Sequence, residues 1–398
     1  MVNSFISLEN QYGTFHYQPL PVVLTHGQGV YVWDNEGKRY LDMMSAYSAV
    51  SHGHCHPKLV AALKEQAETL AMVSRAYYTD QLGPFLKYVC ELLQYDHALP
   101  MNTGVEAVET AIKAARKWAY TIKRVAENQA EIITCAGNFH GRTTTAISMS
   151  SEPAYREGFG PFAPGFKIIP YNDTEALENA ITANTAAFLI EPIQGEGGIQ
   201  VPDKGYLKRC EEICKKHHVL LIADEVQTGL GRTGKWLASH HENVKPDIVI
   251  LGKALGGGLL PVSLILGNSE IMSVFTPGSH GSTFGGNPLA AKVAYTALKV
   301  LKEDHLIENA DELGAYFFNQ LSAIHSPLIK EVRGKGLLLG IELNPNYSAR
   351  EICLKLLKKG LLSKDTHHTV LRFAPPLIIT REEIDAGLAI IQSVLTST

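Results

Sequence analysis

No run of apolar residues in this 398-residue chain is long enough to span a bilayer, so the sequence offers no transmembrane helix. A basic excess is also missing: 36 Lys and Arg stand against 40 Asp and Glu, a net charge of −4, which leaves no electrostatic footprint for nucleic acid. Cysteine is sparse. The 6 cysteines (Cys55, Cys90, Cys135, Cys210, Cys214 and Cys353) show no paired CxxC spacing and read as reduced, mostly buried thiols. Cys210 and Cys214 lie one helical turn apart, which suits a shared helix face better than a metal site. His52, His54 and His56 alternate with Cys55 through SHGHCHP, but no distant ligand cluster matches them, so a structural loop is expected and no metal. The opening MVNSFISLENQYGTFHY lacks the basic start and apolar centre of a secretory signal and the arginines of a transit peptide; a cytoplasmic location is the expectation. Repeats, low-complexity tracts and charge blocks are absent from the sequence.

What is present is an ordinary globular composition, 45% hydrophobic and 19% charged, in a chain long enough for about two or three domains. Near the start, GVYVWDNEGKRYLDM reads as two alternating segments joined by a turn at NEG, and PKLVAALKEQAETL follows as a helix. From about residue 100 to 285, the apolar runs EIITC, TTTAISM, AAFLI, VLLIA, DIVIL and SLILG are predicted strands with helices between several of them. That alternation argues for a mainly parallel sheet covered on both faces. After GGNPLAA come two long amphipathic helices, LAAKVAYTALKVLKE and ENADELGAYFFNQLSAI. Sheet-like GLLLGIEL and VLRFAPPL then suggest a smaller α+β domain.

The chemistry lies at two strand ends. VLLIA runs directly into Asp224, with Gln227 just beyond in ADEVQTG, and DIVIL runs into Gly252 and Lys253 of LGKALGGG. In open α/β sheets ligands bind beyond the carboxyl ends of the strands, so both runs deliver a polar residue to that face. A lone lysine after a strand ordinarily caps it and faces water. Desolvation in an apolar, glycine-rich setting instead lowers the lysine pKa and makes it a nucleophile. Lysine and carboxylate are used together with pyridoxal phosphate, where the lysine bonds the aldehyde and the aspartate keeps the ring nitrogen protonated.

Loops that could hold the phosphate differ in strength. MNTGVEAVETAIKAARKW places Gly104 and Val105 at a helix start, where free amides and the helix dipole favour an anion. The same residues suit a plain capping box between Thr103 and Glu106. HGSTFGGNP adds the hydroxyls of Ser282 and Thr283. GLGRTG formally matches a dinucleotide fingerprint, but it stands five residues beyond its strand with no apolar helix after it, and it is read as a decoy. Lys253 does not fit a nucleotide P-loop either, because Asp247 and Ala254 occupy positions that need Gly and Ser or Thr. Phe139 in GNFHGRT suits core packing, or stacking on a planar cofactor. Arg142 and Arg372 suit bidentate binding of the two carboxylates of a diacid, or plain surface charge. Glu196 in EPIQGEGG is a further carboxylate in a loop beyond a strand.

In this order and spacing, EPIQGEGG, ADEVQTGLGRTG, LGKALGGG and HGSTFGGNP resemble the class III branch of the fold type I pyridoxal-phosphate aminotransferases, over almost the whole chain. Within that branch, HYQPLP, MSAYSAVSHGHCHP, MNTGVEA, GNFHGRT, GFGPFAPGFKIIPYND and LRFAPPL resemble the ornithine aminotransferases. The resemblance implies an α/β fold with a seven-stranded-type sheet and a smaller α+β domain. It divides the chain into 1–52, packing with the small domain, 53–295, binding the cofactor, and 296–398, the small domain. It implies that Lys253 carries the cofactor, Asp224 pairs with its ring nitrogen and Gln227 with its ring oxygen. Gly104 and Val105 take the phosphate together with the Ser282–Thr283 loop, Thr283 reaching across a homodimer, and Phe139 stacks on the ring. Tyr17 and Arg142 hold the α-amino and α-carboxylate end of ornithine, Tyr47 lines the pocket, and Glu196 masks Arg372 until 2-oxoglutarate enters. His140 departs from the animal-type pattern, which has tryptophan there, and matches many acetylornithine-type enzymes. Acetylornithine and 4-aminobutyrate aminotransferases are therefore the alternatives, against which Tyr17, Tyr47 and Glu196 together argue. A non-catalytic protein that kept the fold is the alternative from another class.

Overall fold

The computed structural model describes residues 2–396. Its centre is a seven-stranded sheet whose neighbours run in the order His97–Met101, Ser263–Gly267, Ile248–Leu251, Leu220–Asp224, Thr185–Ile190, Glu131–Cys135 and Phe166–Ile169. Only Ser263–Gly267 runs antiparallel to its neighbours; the other strands share one direction. The strands Thr185–Ile190 and Leu220–Asp224 are buried at every position. Cover on both faces is the reason. The helix Gly104–Trp118 packs Ala107, Ala111 and Ala115 against Ile132, Ile222 and Ile250 on one face. On the other, Tyr206–Lys216 packs Leu207, Cys210 and Ile213 against Ile133, Phe188 and Leu221. An all-apolar strand in such a sheet has no solvent face to mark with polar residues.

One expected strand is a helix. TTTAISM folds as the short helix Thr144–Ser148, because the Thr143 hydroxyl accepts the Ala146 N–H and caps it, overriding the β-preference of its threonines. The hairpin at GVYVWDNEGKRYLDM forms between Tyr31–Asp34 and Arg39–Asp42, its turn held by Asp34 Oδ1 accepting the Glu36 and Lys38 amides at 2.9 Å each. Leu41 of that hairpin pairs in parallel with Leu361, so the chain's two ends share a four-stranded sheet. A second four-stranded sheet contains Ile329–Lys335, Leu338–Leu343, Val370–Phe373 and Lys364–Thr366. No helix among the described residues is long and apolar enough to cross a membrane.

Three backbones meet where this second sheet touches the loop after Asp224. A Cβ on Gly314 would lie 2.2 Å from the Gly336 carbonyl carbon, and one on Gly336 would lie 2.4 Å from that of Thr233. Neither neighbour is a side chain that can swing aside. Gly314→Ala is expected to lose about 1–3 kcal/mol through overpacking. Gly83→Ala, where a Cβ would meet nothing within 4 Å, is expected to be neutral or stabilising. Denaturant midpoints of the two variants check the contrast; equal midpoints would count against the close approach.

Candidate active site

The ends of five parallel strands, four of them adjacent and His97–Met101 set apart by the antiparallel Ser263–Gly267, converge on one cavity of about 190 Å³. Gly104 and Val105 reach it after His97–Met101, Phe139 and His140 after Glu131–Cys135, and Glu191 and Glu196 after Thr185–Ile190. Asp224 and Gln227 reach it from Leu220–Asp224, and Lys253 from Ile248–Leu251. The crevice thus follows from strand direction alone.

Lys253 enters in a left-handed conformation, φ 43°, directly after an extended Gly252. Such a backbone is costly for a residue with a Cβ and persists only where packing dictates it. Burial lowers its ammonium below the ordinary lysine range; Glu196 and Asp224 oppose this, and Arg372 adds to it. Asp224 is buried and doubly engaged, accepting the Val226 amide at 3.1 Å on Oδ1 and the His140 Nδ1–H at 2.7 Å on Oδ2. Burial alone would lower the His140 pKa, but the hydrogen bond and charge of Asp224 raise it. Its Nε2 is buried and has no partner among the described residues. Glu191 accepts the Phe139 amide at 3.0 Å, and burial pushes its carboxyl up to about 7 against the opposing charge of His140.

At the helix start the capping box is real: Thr103 accepts the Glu106 amide, and Glu106 Oε2 accepts the Thr103 amide at 2.7 Å. It does not consume the site. The Gly104 and Val105 amides have no acceptor among the described residues, so two orphan donors face an anion position at a dipole's positive end. A Cβ on Gly104 would meet the Val226 side chain at 3.0 Å, a tight approach that Val226 would have to yield to. Ser282 and Thr283 do not line the cavity. The Ser282 hydroxyl accepts from Asn102 Nδ2 at 2.8 Å and from the Gly285 amide at 3.0 Å, while Thr283 is exposed.

The two arginines stand in opposite states. Arg372, 1% exposed, donates to Glu196 Oε1 at 2.6 Å and to Gln227 Oε1 at 2.9 Å, with the Tyr47 ring 5.3 Å from its guanidinium. Burial would raise the Glu196 carboxyl, yet Arg372 and Lys253 outweigh it and hold it low. Arg142 is exposed and has no carboxylate partner among the described residues; it lies over the Tyr155 ring at 3.7 Å. Tyr17 is 71% exposed and lines, with Tyr47, a second cavity of about 570 Å³ that shares no lining residue with the first.

Tyr47 sits in a left-handed turn, with φ of 42°, 46°, 59° and 75° from Ser45 to Ser48. Each such residue costs about 1–2 kcal/mol. The turn is clamped at its start, where Asp42 Oδ1 accepts the Met44 and Ser45 amides at 2.8 and 3.0 Å and Oδ2 meets His54 Nε2 at 2.8 Å. Ser45 donates to the Ala374 carbonyl at 2.6 Å, and fully buried Arg232 donates to both Ser45 and Ser51. Arg232 also reaches the carbonyls of Leu337 and Pro375, at 2.9 and 2.6 Å. The decoy motif GLGRTG therefore supplies a strut, not a nucleotide loop. Of the loop histidines, His52 bonds the Ala297 carbonyl, and His54 and His56 face Asp42 and Asp304.

The sequence profile of the aminotransferase class III family matches residues 12–395. The chain belongs to the class III aminotransferases. It is 57% identical to a protein named ornithine aminotransferase from an Exiguobacterium species, over 98% of this chain and 97% of that one. It is 56% identical to the Bacillus subtilis protein of that name, at the same coverage. Among solved structures, the ornithine aminotransferase of Toxoplasma gondii superposes with a TM-score of 0.98 at 46% identity, covering 99% of this chain and 94% of that one. An acetylornithine aminotransferase from Elizabethkingia anophelis gives 0.91 at 51% identity, covering 99% and 98%.

Sequence reasoning passed over Glu191, His140 as a partner of Asp224, Tyr155 and Arg232. Glu191 could have been found, because it ends AAFLI as Asp224 ends VLLIA. Its titration is testable. With a folded pKa near 7 against an ordinary 4.5, the fold holds a proton that the unfolded chain releases, so stability falls as pH rises through that window. Glu191→Gln is expected to remove this slope, checked by denaturant midpoints between pH 4.5 and 7.5; an unchanged slope would show that Glu191 ionises normally.

Proposed function

We propose that this class III aminotransferase moves the δ-amino group of L-ornithine to 2-oxoglutarate, with pyridoxal phosphate as carrier. The supporting observation is the asymmetry of the arginines: one exposed and without a carboxylate partner among the described residues, one buried and matched by a carboxylate. The cofactor fits the residues present, since orphan amides, an acid on a histidine and a lysine of lowered pKa meet in one cavity. When bound, pyridoxal phosphate supplies an aldehyde that takes up amines and a ring that withdraws electrons from the bonds broken.

In this reading the Gly104 and Val105 amides hold the phosphate, and Phe139 covers the ring. Asp224, its second oxygen occupied by His140, would offer a fixed negative charge to the ring nitrogen, and Gln227 would hold the ring oxygen. Lys253, buried and lowered in pKa, would hold the cofactor's aldehyde end through Nζ and would hold and move the proton of the amino-group exchange at that atom. Tyr17 and Arg142 hold the α-amino and α-carboxylate groups of ornithine, which leaves the δ-amine at the lysine. Glu196 keeps Arg372 neutralised meanwhile. 2-Oxoglutarate brings a carboxylate that replaces Glu196 on Arg372, and its other carboxylate goes to Arg142. The products are glutamate and glutamate 5-semialdehyde, which cyclises to pyrroline-5-carboxylate.

The reading extends to assembly. Thr283 is exposed and outside the cavity lining, beside exposed Phe284, and Tyr77 and Tyr78 are exposed as well; we infer a homodimer in which Thr283 and the Ser282 loop serve the second copy's phosphate. We also infer that residues 53–295 form the cofactor domain, and that 1–52 pack with a small domain of 296–398.

Incubating the holoenzyme with ornithine and 2-oxoglutarate and trapping the cyclic product is expected to show turnover. Much faster reaction of N-acetylornithine or 4-aminobutyrate would replace this substrate reading. Lys253→Ala is expected to abolish both turnover and the cofactor's lysine-dependent visible band; unchanged spectrum and turnover would remove Lys253 from the mechanism. Sedimentation at twice the chain mass is expected, and a fully active monomer would refute the shared site.

A further inference from the structure

Arg142 has no carboxylate partner among the described residues, yet it is not loose. Its guanidinium lies 3.7 Å from the Tyr155 ring centroid and 5.5 Å from that of Phe139. The two rings meet edge to face, at 5.9 Å and 81°. Tyr155 is itself held. It sits in the single turn Pro153–Arg156, and Arg156 Nη1 donates to the carbonyls of Ile147, Ser148 and Ser150 at 3.0, 3.0 and 3.2 Å. Arg156 also lies over the Phe162 ring at 3.9 Å.

The backbone beneath Arg142 is equally constrained. Thr143 donates to Glu109 at 2.7 Å, and a Cβ on Gly141 would collide with Val105 at 2.3 Å. Guanidinium donors lie in the plane of the group, so an aromatic ring on its face blocks none of them. Stacking therefore orients the fork and removes rotamer freedom that a carboxylate would otherwise have to freeze.

We propose that Tyr155 is a positioning residue for substrate carboxylates, holding the Arg142 guanidinium on its ring so that each substrate meets a pre-oriented bidentate site. The proposal rests on the reading of Arg142 as the carboxylate-binding arginine in both half-reactions. Ring loss should then weaken both substrates, whereas a change confined to Arg372 should weaken only the diacid.

The test uses holoenzyme carrying Tyr155→Leu, Tyr155→Phe or Arg142→Met, with L-ornithine, 2-oxoglutarate and 1,4-diaminobutane, which is ornithine without its carboxylate. Tyr155→Leu is expected to raise KM for ornithine and for 2-oxoglutarate about tenfold each, leave kcat near the parent value, and leave 1,4-diaminobutane unaffected. Tyr155→Phe should behave as the parent. If the leucine variant is unstable, Tyr155→Gln, polar at a half-exposed position, carries the same expectation. Unchanged KM values in the ring-free variants would overturn the proposal, as would equal impairment with 1,4-diaminobutane or a phenylalanine variant as damaged as the leucine one. If Arg142→Met itself leaves KM for ornithine unchanged, the reading of Arg142 fails instead, which is a separate result.

Discussion

A guanidinium taken fully out of water needs acceptors where it lies, and Arg372 meets that constraint with a carboxylate that draws two sheets together. The cost of desolvating an unpaired ion is several kcal/mol, more than a surface contact returns. Glu196 answers the charge from a loop of the large sheet, while Arg372 itself belongs to the second four-stranded sheet. The ion pair is thus also a joint. Its loop is anchored from the same side, since Arg333 donates to the Gly198 carbonyl through Nε at 3.0 Å and Nη2 at 2.7 Å. Gln227 ties the pair to the strand end that carries Asp224, so the Arg372–Glu196 pair and Asp224 share one scaffold.

A joint of this kind works only if its parts keep register, and the left-handed turn at Ser45–Ser48 shows what holds them. Four residues in a region that L-amino acids avoid would relax if left alone. Asp42 satisfies the amides at the start of the turn, and Arg232 satisfies the Ser45 hydroxyl in it, the Ser51 hydroxyl just beyond it and the carbonyls of Leu337 and Pro375. The strain is local and its restraints come from three distant stretches of sequence. Tyr47 is thereby set against Arg372, with the guanidinium bounded by an aromatic face and two acceptors.

These origins explain what could be read from the sequence. The large sheet was legible because strands buried on both faces are unbroken apolar runs, and direction then put Asp224, Gln227 and Lys253 on one edge. Glu196 and Arg372 were legible through motif resemblance. Their mutual contact was not visible in spacing, since the two residues come from different sheets. TTTAISM misled because β-branched residues favour strands, whereas one threonine acting as a cap decided the helix. His140 and Tyr155 were hidden for another reason: their partners, Asp224 and Arg142, are specified by loop geometry that no periodicity encodes. Arg232 stood inside a motif considered only for phosphates, and the buried role of an arginine leaves no signature in composition.

The same division bears on which amine the site serves. Strand ends and a helix start build the cofactor end, and relatives named for ornithine and for acetylornithine share that architecture, at TM-scores of 0.98 and 0.91. Identity orders those two structures the other way, 46% against 51%, so overall likeness does not separate the substrates. Acetylation neutralises the α-amine of ornithine and leaves its carboxylate intact. An arginine that grips the carboxylate therefore serves either compound, and Arg142 cannot be the discriminator. Discrimination falls to groups that meet the amine, which on the proposed reading are Tyr17 at the exposed rim and Tyr47 behind it. Tyr47 cannot be moved by a local change, because its position is dictated by the clamped left-handed turn. On the proposed reading, selectivity is a property of how the chain's amino-terminal segment is fastened to the strand of Arg372, as much as of the side chains that would touch the substrate.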